Sequence, residues 1–203
     1  MKDNRHILNI QMGGVNMNKQ PEILFFAGPN GSGKSTIAKM AKMVGVYINA
    51  DDIKKVLHCS DLEAAQKAEE LRENCLKNQE DFSFETVLST DRNLKLLKKA
   101  KAQGYFIRGI YVLTENPQIN LLRIRNRVQL GGHNVDKEKV ISRYTKSLNL
   151  IPEVVKVCDV LHIYDNSVEP FRIFKRRKTV YYYWENKFWN KEKIQTLTGI
   201  ILD

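Results

Sequence analysis

The chain has 203 residues, of which 42% are hydrophobic and 28% charged, and its formal net charge is +10. That is enough for one well-filled domain and too little for two, and the composition is that of a folded rather than a disordered chain. No apolar run approaches the roughly 20 residues needed to cross a bilayer, and residues 1–20 hold no signal-peptide core. A cytoplasmic protein is expected, with residues 1–20 as a polar N-terminal tail, residues 21–203 as a single domain, and Met17 as an alternative start.

In chain order, residues 22–27 (EILFFA) read as a buried parallel strand. The Gly-rich run 28–35 leads into a helix over 36–43, with Ile37, Met40 and Ala41 at helical spacing. A short strand over 46–49 and helices over 53–58 and 61–78 follow. Residues 82–87 (FSFETV) predict a strand, 93–102 a helix capped at Gly104, and 105–113 a buried strand. Pro117 opens a helix to about residue 130. Gly131-Gly132 breaks it, and Asp136 starts another with Val140, Ile141, Tyr144 and Leu148 on one face. A strand over 160–164 comes next. After Pro170, an antiparallel hairpin is expected from strands 171–174 and 179–184, with Lys175, Arg176, Arg177 and Lys178 as its turn, then a helix over 191–197. Alternating strands and helices imply an α/β fold: a mostly parallel sheet flanked by helices, ending in a C-terminal β-hairpin.

The three cysteines, Cys59, Cys75 and Cys158, lack C-x-x-C spacing, which argues against a disulfide framework or zinc site. Cys59 and Cys75 are expected on a helical stretch and Cys158 just before a strand, all as inert thiols.

Gly28-Pro29-Asn30-Gly31-Ser32-Gly33-Lys34-Ser35, followed by Thr36, is a complete G-x-x-x-x-G-K-[ST] Walker A phosphate loop set between a strand and a helix. Glycines let consecutive N–H groups point at phosphate oxygens. The helix N-terminus adds a favourable dipole. Lys34 is expected to neutralise the β- and γ-phosphates and Ser35 to ligate Mg2+. Together with Lys34, three further features point to a P-loop kinase. Asp51, after the 46–49 strand, is the expected catalytic base, with neighbouring Asp52 capping the helix. Glu85 and Thr86, at the end of FSFET, are expected to bind substrate hydroxyls. Arg127 and Arg143 flank Gly131-Gly132-His133, the hinge of an expected lid over about 127–139 that closes on the triphosphate.

The positive charge invites a nucleic-acid reading. Lys95, Lys98, Lys99 and Lys101, however, fit the surface of a helix. The acid-free stretch 116–135, with Arg123, Arg125 and Arg127, suits a polyphosphate as well as DNA. A macromolecule-directed ATPase would need an apolar strand ending in a Walker B aspartate, and strand 105–113 instead runs into Thr114 and Glu115. Intact Lys34, Ser35 and Asp51 disfavour a degenerate nucleotide-binding module. A nucleic-acid partner is therefore disfavoured.

In order, GPNGSGKST, YINADDIK, FSFETVLS, RVQLGGHNVDKEKVISRY and CDVLHIYDNS resemble the zeta toxin family and its chromosomal relatives. The resemblance implies an ATP- or GTP-using, magnesium-dependent kinase that phosphorylates a sugar hydroxyl of UDP-N-acetylglucosamine, with an antitoxin protein as partner. Lys34 matches the phosphate-loop lysine, Asp51 the general base, Glu85 and Thr86 the pair that holds the sugar nucleotide, and Arg127 and Arg143 the lid arginines. The chain is shorter than the plasmid-borne toxins, and its C-terminal hairpin does not map onto them. Another small hydroxylated acceptor, such as a nucleoside or amino sugar, stays open.

Overall fold

Side chains along the first strand divide between two faces. In β1 (Glu22–Ala27), Ile23, Phe25 and Ala27 join the large core cluster, whereas Leu24 and Phe26 pack with Ala38 on the opposite side. A strand buried on both faces belongs in the middle of a parallel sheet, and β1 lies there. The computed structural model describes residues 19–132 and 135–202, so most of the expected tail, with Met17, and His133 and Asn134 lie outside the described residues.

From β1 the chain runs through α1 (Lys34–Met40), β2 (Val46–Ile48), α2 (Ala50–Leu57), α3 (Asp61–Lys77), β3 (Phe82–Thr86) and α4 (Arg92–Ala102). It continues through β4 (Phe106–Leu113), α5 (Pro117–Gln129), α6 (Lys137–Asn149), α7 (Ile151–Val157) and β5 (Val160–Asp165). It closes with β6 (Phe171–Arg177), β7 (Val180–Tyr183) and α8 (Lys191–Thr198). The sheet order is β2-β3-β1-β4-β5-β6-β7. The first five strands pair in parallel and the last two antiparallel. From β1 the chain goes to β2 on one side and later to β4 on the other. The carboxyl end of β1 is thus the switch point at which such sheets bind ligands.

The larger face is filled from α3, α4, α7 and α8, with Leu76, Leu97, Ala100, Val154, Val155 and Ile194 packed on Phe25, Phe84, Ile107 and Tyr111. The Tyr105 hydroxyl reaches the carbonyls of Cys75 (3.0 Å) and Glu80 (3.1 Å), tying the end of α3 to the start of β4.

Three expectations are corrected. Lys175, Arg176 and Arg177 are not a turn: they extend β6, paired with β5 on one side and β7 on the other. Their aliphatic stems suit the sheet surface, and Lys175 and Arg176 lie over the Tyr182 and Tyr181 rings, so charge does not force a turn here. Helix α7 went unread because seven residues with Pro152 in the first turn give too short a window for periodicity. Cys59 lies between α2 and α3, half-buried, rather than on a helix. Cys75 and Cys158 are buried; burial pushes the Cys75 thiol up to about 11 and raises that of Cys158 as well, which makes both inert.

Candidate active site

Between β1 and α1 the phosphate loop is held from behind. The Asn120 side chain on α5 donates to the Asn30 carbonyl (2.7 Å) and is itself fixed by the Thr114 hydroxyl. Asn166, just past β5, donates to the Ser32 carbonyl (2.7 Å). The Arg123 guanidinium spans the Ser32 and Ser167 carbonyls at 3.5 and 3.3 Å. Tying carbonyls outward is what a loop requires if its N–H groups are to face an anion. Two glycines are dictated by this packing. A Cβ on Gly28 (φ +142°) would lie 2.0 Å from the Val112 carbonyl oxygen, and one on Gly33 (φ +93°) 2.3 Å from the Asn166 amide nitrogen. Asn120, Asn166 and Thr114 escaped sequence reasoning, because a lone polar residue on a helix or after a strand has no spacing signature.

A cleft of about 920 Å³ opens in front of the loop, and Lys34, Ser35, Thr36, Asp51, Glu85, Thr86, Arg127 and Arg143 all line it. Of the loop, Asn30, Gly31 and Gly33 line it too, while Gly28, Pro29 and Ser32 are buried behind. The sheet register explains why Glu85 and Thr86 are here: they pair with Phe26 and Ala27, the last residues before the loop.

Glu85 accepts three hydrogen bonds. One carboxylate oxygen accepts from the Ser35 hydroxyl (2.7 Å), the other from the Tyr47 hydroxyl and from the Asn49 amide (3.3 Å). Desolvation, then the hydrogen bond to Glu85, raise the Tyr47 phenol well above its ordinary value and keep it a donor. Glu85 therefore faces the phosphate loop directly. Thr86 has a local duty besides lining the cleft: its hydroxyl oxygen accepts from the Leu88 N–H (2.9 Å) and the Asn93 amide (2.8 Å), which shapes the turn before α4.

Desolvation pulls the Lys34 ammonium below its usual range; Glu85 and Asp51 oppose this and Arg127 adds to it. Both acids and one arginine thus act electrostatically on the phosphate-loop lysine. Asp51 sits in the first turn of α2. The cap of that helix is Asn49, whose side chain accepts from the Asp51 N–H at 2.9 Å, and not Asp52 as expected. Asp52 instead lies 3.5 Å from Lys55 on the helix surface. The helix begins three residues earlier than expected because Asn is as good a cap as Asp and comes first. Asp51 is left exposed in the cleft.

Arg127 lies in the last turn of α5, and Arg143 lies within α6. Between them the Gly131 N–H donates to the Val128 carbonyl (2.9 Å) and the Gly132 N–H to the Arg127 carbonyl (2.9 Å), a Schellman closure of the helix. An apolar strand does end on an aspartate, since β5 extends one residue further than expected, to Asp165. That carboxylate is 2% exposed and accepts from Ser167 and Asn186, two strands away from β1. It has a structural task, not a Walker B one.

Ser35 and Glu85 form a hard-oxygen pair beside the loop, which fits a Mg2+ that keeps most of its ligands as water and phosphate oxygen. No cluster of three or more His, Cys, Asp or Glu able to hold a metal by itself occurs among the described residues. Among the described residues no helix is long and apolar enough to cross a membrane.

The fold has solved counterparts. A chain of the PezAT chromosomal toxin–antitoxin system of Streptococcus pneumoniae superposes with a TM-score of 0.57 at 17% identity, covering 91% of this chain and 81% of that one. In the AvrRxo1-ORF1:ORF2 complex the match has a TM-score of 0.64 at 14% identity, over 88% of this chain and 64% of the other. The same protein complex has been solved with ATP, where the TM-score is 0.60 at 12% identity over 82% of this chain and 61% of the other. These likenesses establish a P-loop kinase-like fold. In sequence, an uncharacterised protein of Haemophilus influenzae is 32% identical over 131 residues, which make up 62% of this chain and 94% of that protein. The phosphate loop, Asp51, the β3 acid and the paired arginines all fall within residues 5–186, over which the zeta toxin family model matches, and the chain belongs to the zeta toxin family.

Proposed function

We propose that this chain is a magnesium-dependent P-loop kinase that moves the γ-phosphate of ATP or GTP onto a hydroxyl of a small molecule. The observation that carries this reading is convergence: Lys34, Ser35, Asp51, Glu85, Arg127 and Arg143 come from five separate elements and line one cleft. The phosphate loop receives the triphosphate, and Lys34, poor in solvent and close to two acids, gains most when phosphate oxygens arrive. Ser35 and Glu85 would hold a Mg2+, and such an ion would supply positive charge against the triphosphate. Glu85 thus moves from the acceptor-binding role read in the sequence to the metal, leaving Thr86 for the acceptor. Asp51 orients the acceptor hydroxyl and takes its proton at a carboxylate oxygen. Arg127 at the start of the lid, residues 127–139, and Arg143 just beyond its end stabilise charge on the transferring group while the closed lid excludes water.

Residues 21–203 act as one kinase domain in the cytoplasm. UDP-N-acetylglucosamine heads the acceptors, with another small hydroxylated molecule as the second choice. A protein antitoxin is the partner to seek, since PezAT is a toxin–antitoxin system. Arg127 and Arg143 face the cleft and Arg123 braces the loop, so this part of the positive charge serves phosphate rather than a nucleic-acid surface. The test is transfer of label from γ-labelled ATP with Mg2+ to an acceptor panel headed by UDP-N-acetylglucosamine, with Lys34→Ala as control. Label appearing on one acceptor, and lost in the variant, is the expected result. ATP binding without transfer to any acceptor, sugar nucleotide, nucleoside or amino sugar alike, would count against a small-molecule kinase.

A further inference from the structure

Strand β7 forms one edge of the sheet. Its pairing with β6 sets Phe174 against Tyr183, Lys175 against Tyr182, Arg176 against Tyr181 and Arg177 against Val180. In the same register the Trp184 N–H donates to the Ile173 carbonyl at 3.0 Å. Bonded and non-bonded pairs alternate along an antiparallel ladder. Val180 and Tyr182 therefore turn their backbone groups towards β6, and Tyr181 and Tyr183 turn theirs to the free edge. Natural edges are guarded by lysine, proline, a bulge or a covering segment. Strand β7 reads Val-Tyr-Tyr-Tyr, with no charge and no proline, and Val180 and Tyr182 are 50% and 45% exposed.

The charge around this edge is one-sided. Between residues 171 and 191 the single acid is Glu185. Four cations lie over the rings of the edge. Arg172 is 4.4 Å from the centre of the Trp184 ring and Lys175 5.5 Å from that of Tyr182. Arg176 is 6.0 Å from the centre of Tyr181 and Lys191 5.9 Å from that of Tyr183. Successive strand residues point to opposite faces, so the first two cations flank the edge on one face and the other two on the opposite face. None of the four enters an ion pair among the described residues. Lys95, Lys98 and Lys99 on α4, by contrast, each meet a carboxylate at 2.5–2.6 Å.

Free backbone groups in a row call for an extended chain, and cations on both faces call for carboxylates on both faces of that chain. We propose that β7 takes up an acidic, extended segment of a partner protein as an added strand. Main-chain hydrogen bonds supply the pairing, and the four cations select for acid. A second copy of this chain fits worse, because its own edge brings the same cations and no acid but Glu185. A nucleic acid has no strand backbone to pair, and the cations already lie over the rings on which its bases would stack. The edge is no part of the cleft, so this partner site stands apart from the kinase reading.

The test uses the whole chain and a fluorescent peptide that repeats Glu-Glu-Thr-Thr twice, which puts carboxylates on both faces of a strand. A Lys-Lys-Thr-Thr repeat, the acidic peptide methylated at its backbone nitrogens, and oligothymidylate serve as controls. Fluorescence anisotropy reads binding, and amide hydrogen exchange reads its place. The acidic peptide should bind and slow exchange at the Tyr181 and Tyr183 N–H groups, with Tyr182, already bonded to β6, changed least. Methylation should weaken binding about tenfold, the scale of two lost hydrogen bonds. Lys175→Gln and Lys191→Gln should each weaken it about threefold, the scale of an exposed ion pair, with ATP-analogue affinity unchanged. No binding, equal binding of the methylated peptide, or no protection at Tyr181 and Tyr183 would overturn the added strand. Equal binding of the basic repeat would overturn the acidic partner. Tighter binding of oligothymidylate, weakened by the same two substitutions, would make the edge a nucleic-acid surface instead. A dimer in sedimentation that Tyr181→Pro dissolves would give the edge to a second copy.

Discussion

Replacing Glu85 by glutamine keeps shape and removes one negative charge at the point where β3 meets the phosphate loop. The glutamate accepts three hydrogen bonds, from Ser35, Tyr47 and Asn49. Tyr47 cannot easily reverse its role, because its oxygen already accepts from the Asn49 amide at 3.1 Å. The glutamine carbonyl must therefore face Tyr47 and Asn49, and its NH2 must face Ser35. The Ser35 oxygen then accepts instead of donating and spends a lone pair that metal ligation needs. A hydrogen bond to a charged group contributes about 1.5–3 kcal/mol, equivalent to about 10- to 150-fold in an equilibrium constant. Calorimetric titration of an ATP analogue, with and without Mg2+, reads this out. The expected result is a Mg2+ requirement raised at least tenfold, with metal-free nucleotide affinity changed by no more than about threefold, within the spread of a neutral contact. An unchanged Mg2+ dependence together with a raised acceptor KM would refute the metal role and return Glu85 to acceptor binding.

Other consequences follow from the same geometry. Gly33→Ala forces a left-handed residue to carry a Cβ against Asn166 and breaks the bond to the Ser32 carbonyl. It should weaken nucleotide binding by about 30-fold, from roughly 1 kcal/mol of backbone strain and 1 kcal/mol of lost hydrogen bond, in a calorimetric titration. Tyr105→Phe should lower the unfolding free energy in urea by about 1–2 kcal/mol, since it strands carbonyls that the buried hydroxyl serves. His162 is held down at about 4 from its usual 6.5, first by desolvation and then by Arg172, Lys175 and Arg108. Because the folded value is depressed, its contribution is complete above pH 6.5 and is lost as pH falls towards 4. Linkage sets an upper bound of about 3 kcal/mol, reduced by the partial exposure of the ring. Urea midpoints measured from pH 7 to 4 should fall less steeply for His162→Gln than for wild type.

The strands of the parallel core were readable to within a residue or two, because Glu22–Ala27 and Phe106–Leu113 are apolar apart from Glu22 and Arg108 and bounded by glycine or turn residues. The C-terminal sheet was harder. Lys175 and Arg176 look like turn residues until the tyrosines of β7 are laid beneath them, and that contact is created only by the pairing. In the site, the contiguous motif fixed the phosphate loop, and strand-end position picked out Asp51 and Glu85. Which acid does what depended on side-chain partners: nearby Asn49 takes the cap that Asp52 was expected to fill, and Ser35, far away in sequence, draws Glu85 to the loop. Asn120 and Asn166 were invisible because their meaning lies in the Asn30 and Ser32 carbonyls, which only the folded chain brings near.

The central claim is phosphoryl transfer with Asp51 as base, and the most direct measurement compares wild type with Asp51→Asn for γ-labelled ATP turnover and ATP-analogue affinity. The account predicts unchanged affinity, because Asp51 binds no phosphate, and turnover reduced by roughly 10²-fold or more, the scale of a general base. Turnover equal to wild type in a variant that still binds the analogue would contradict it.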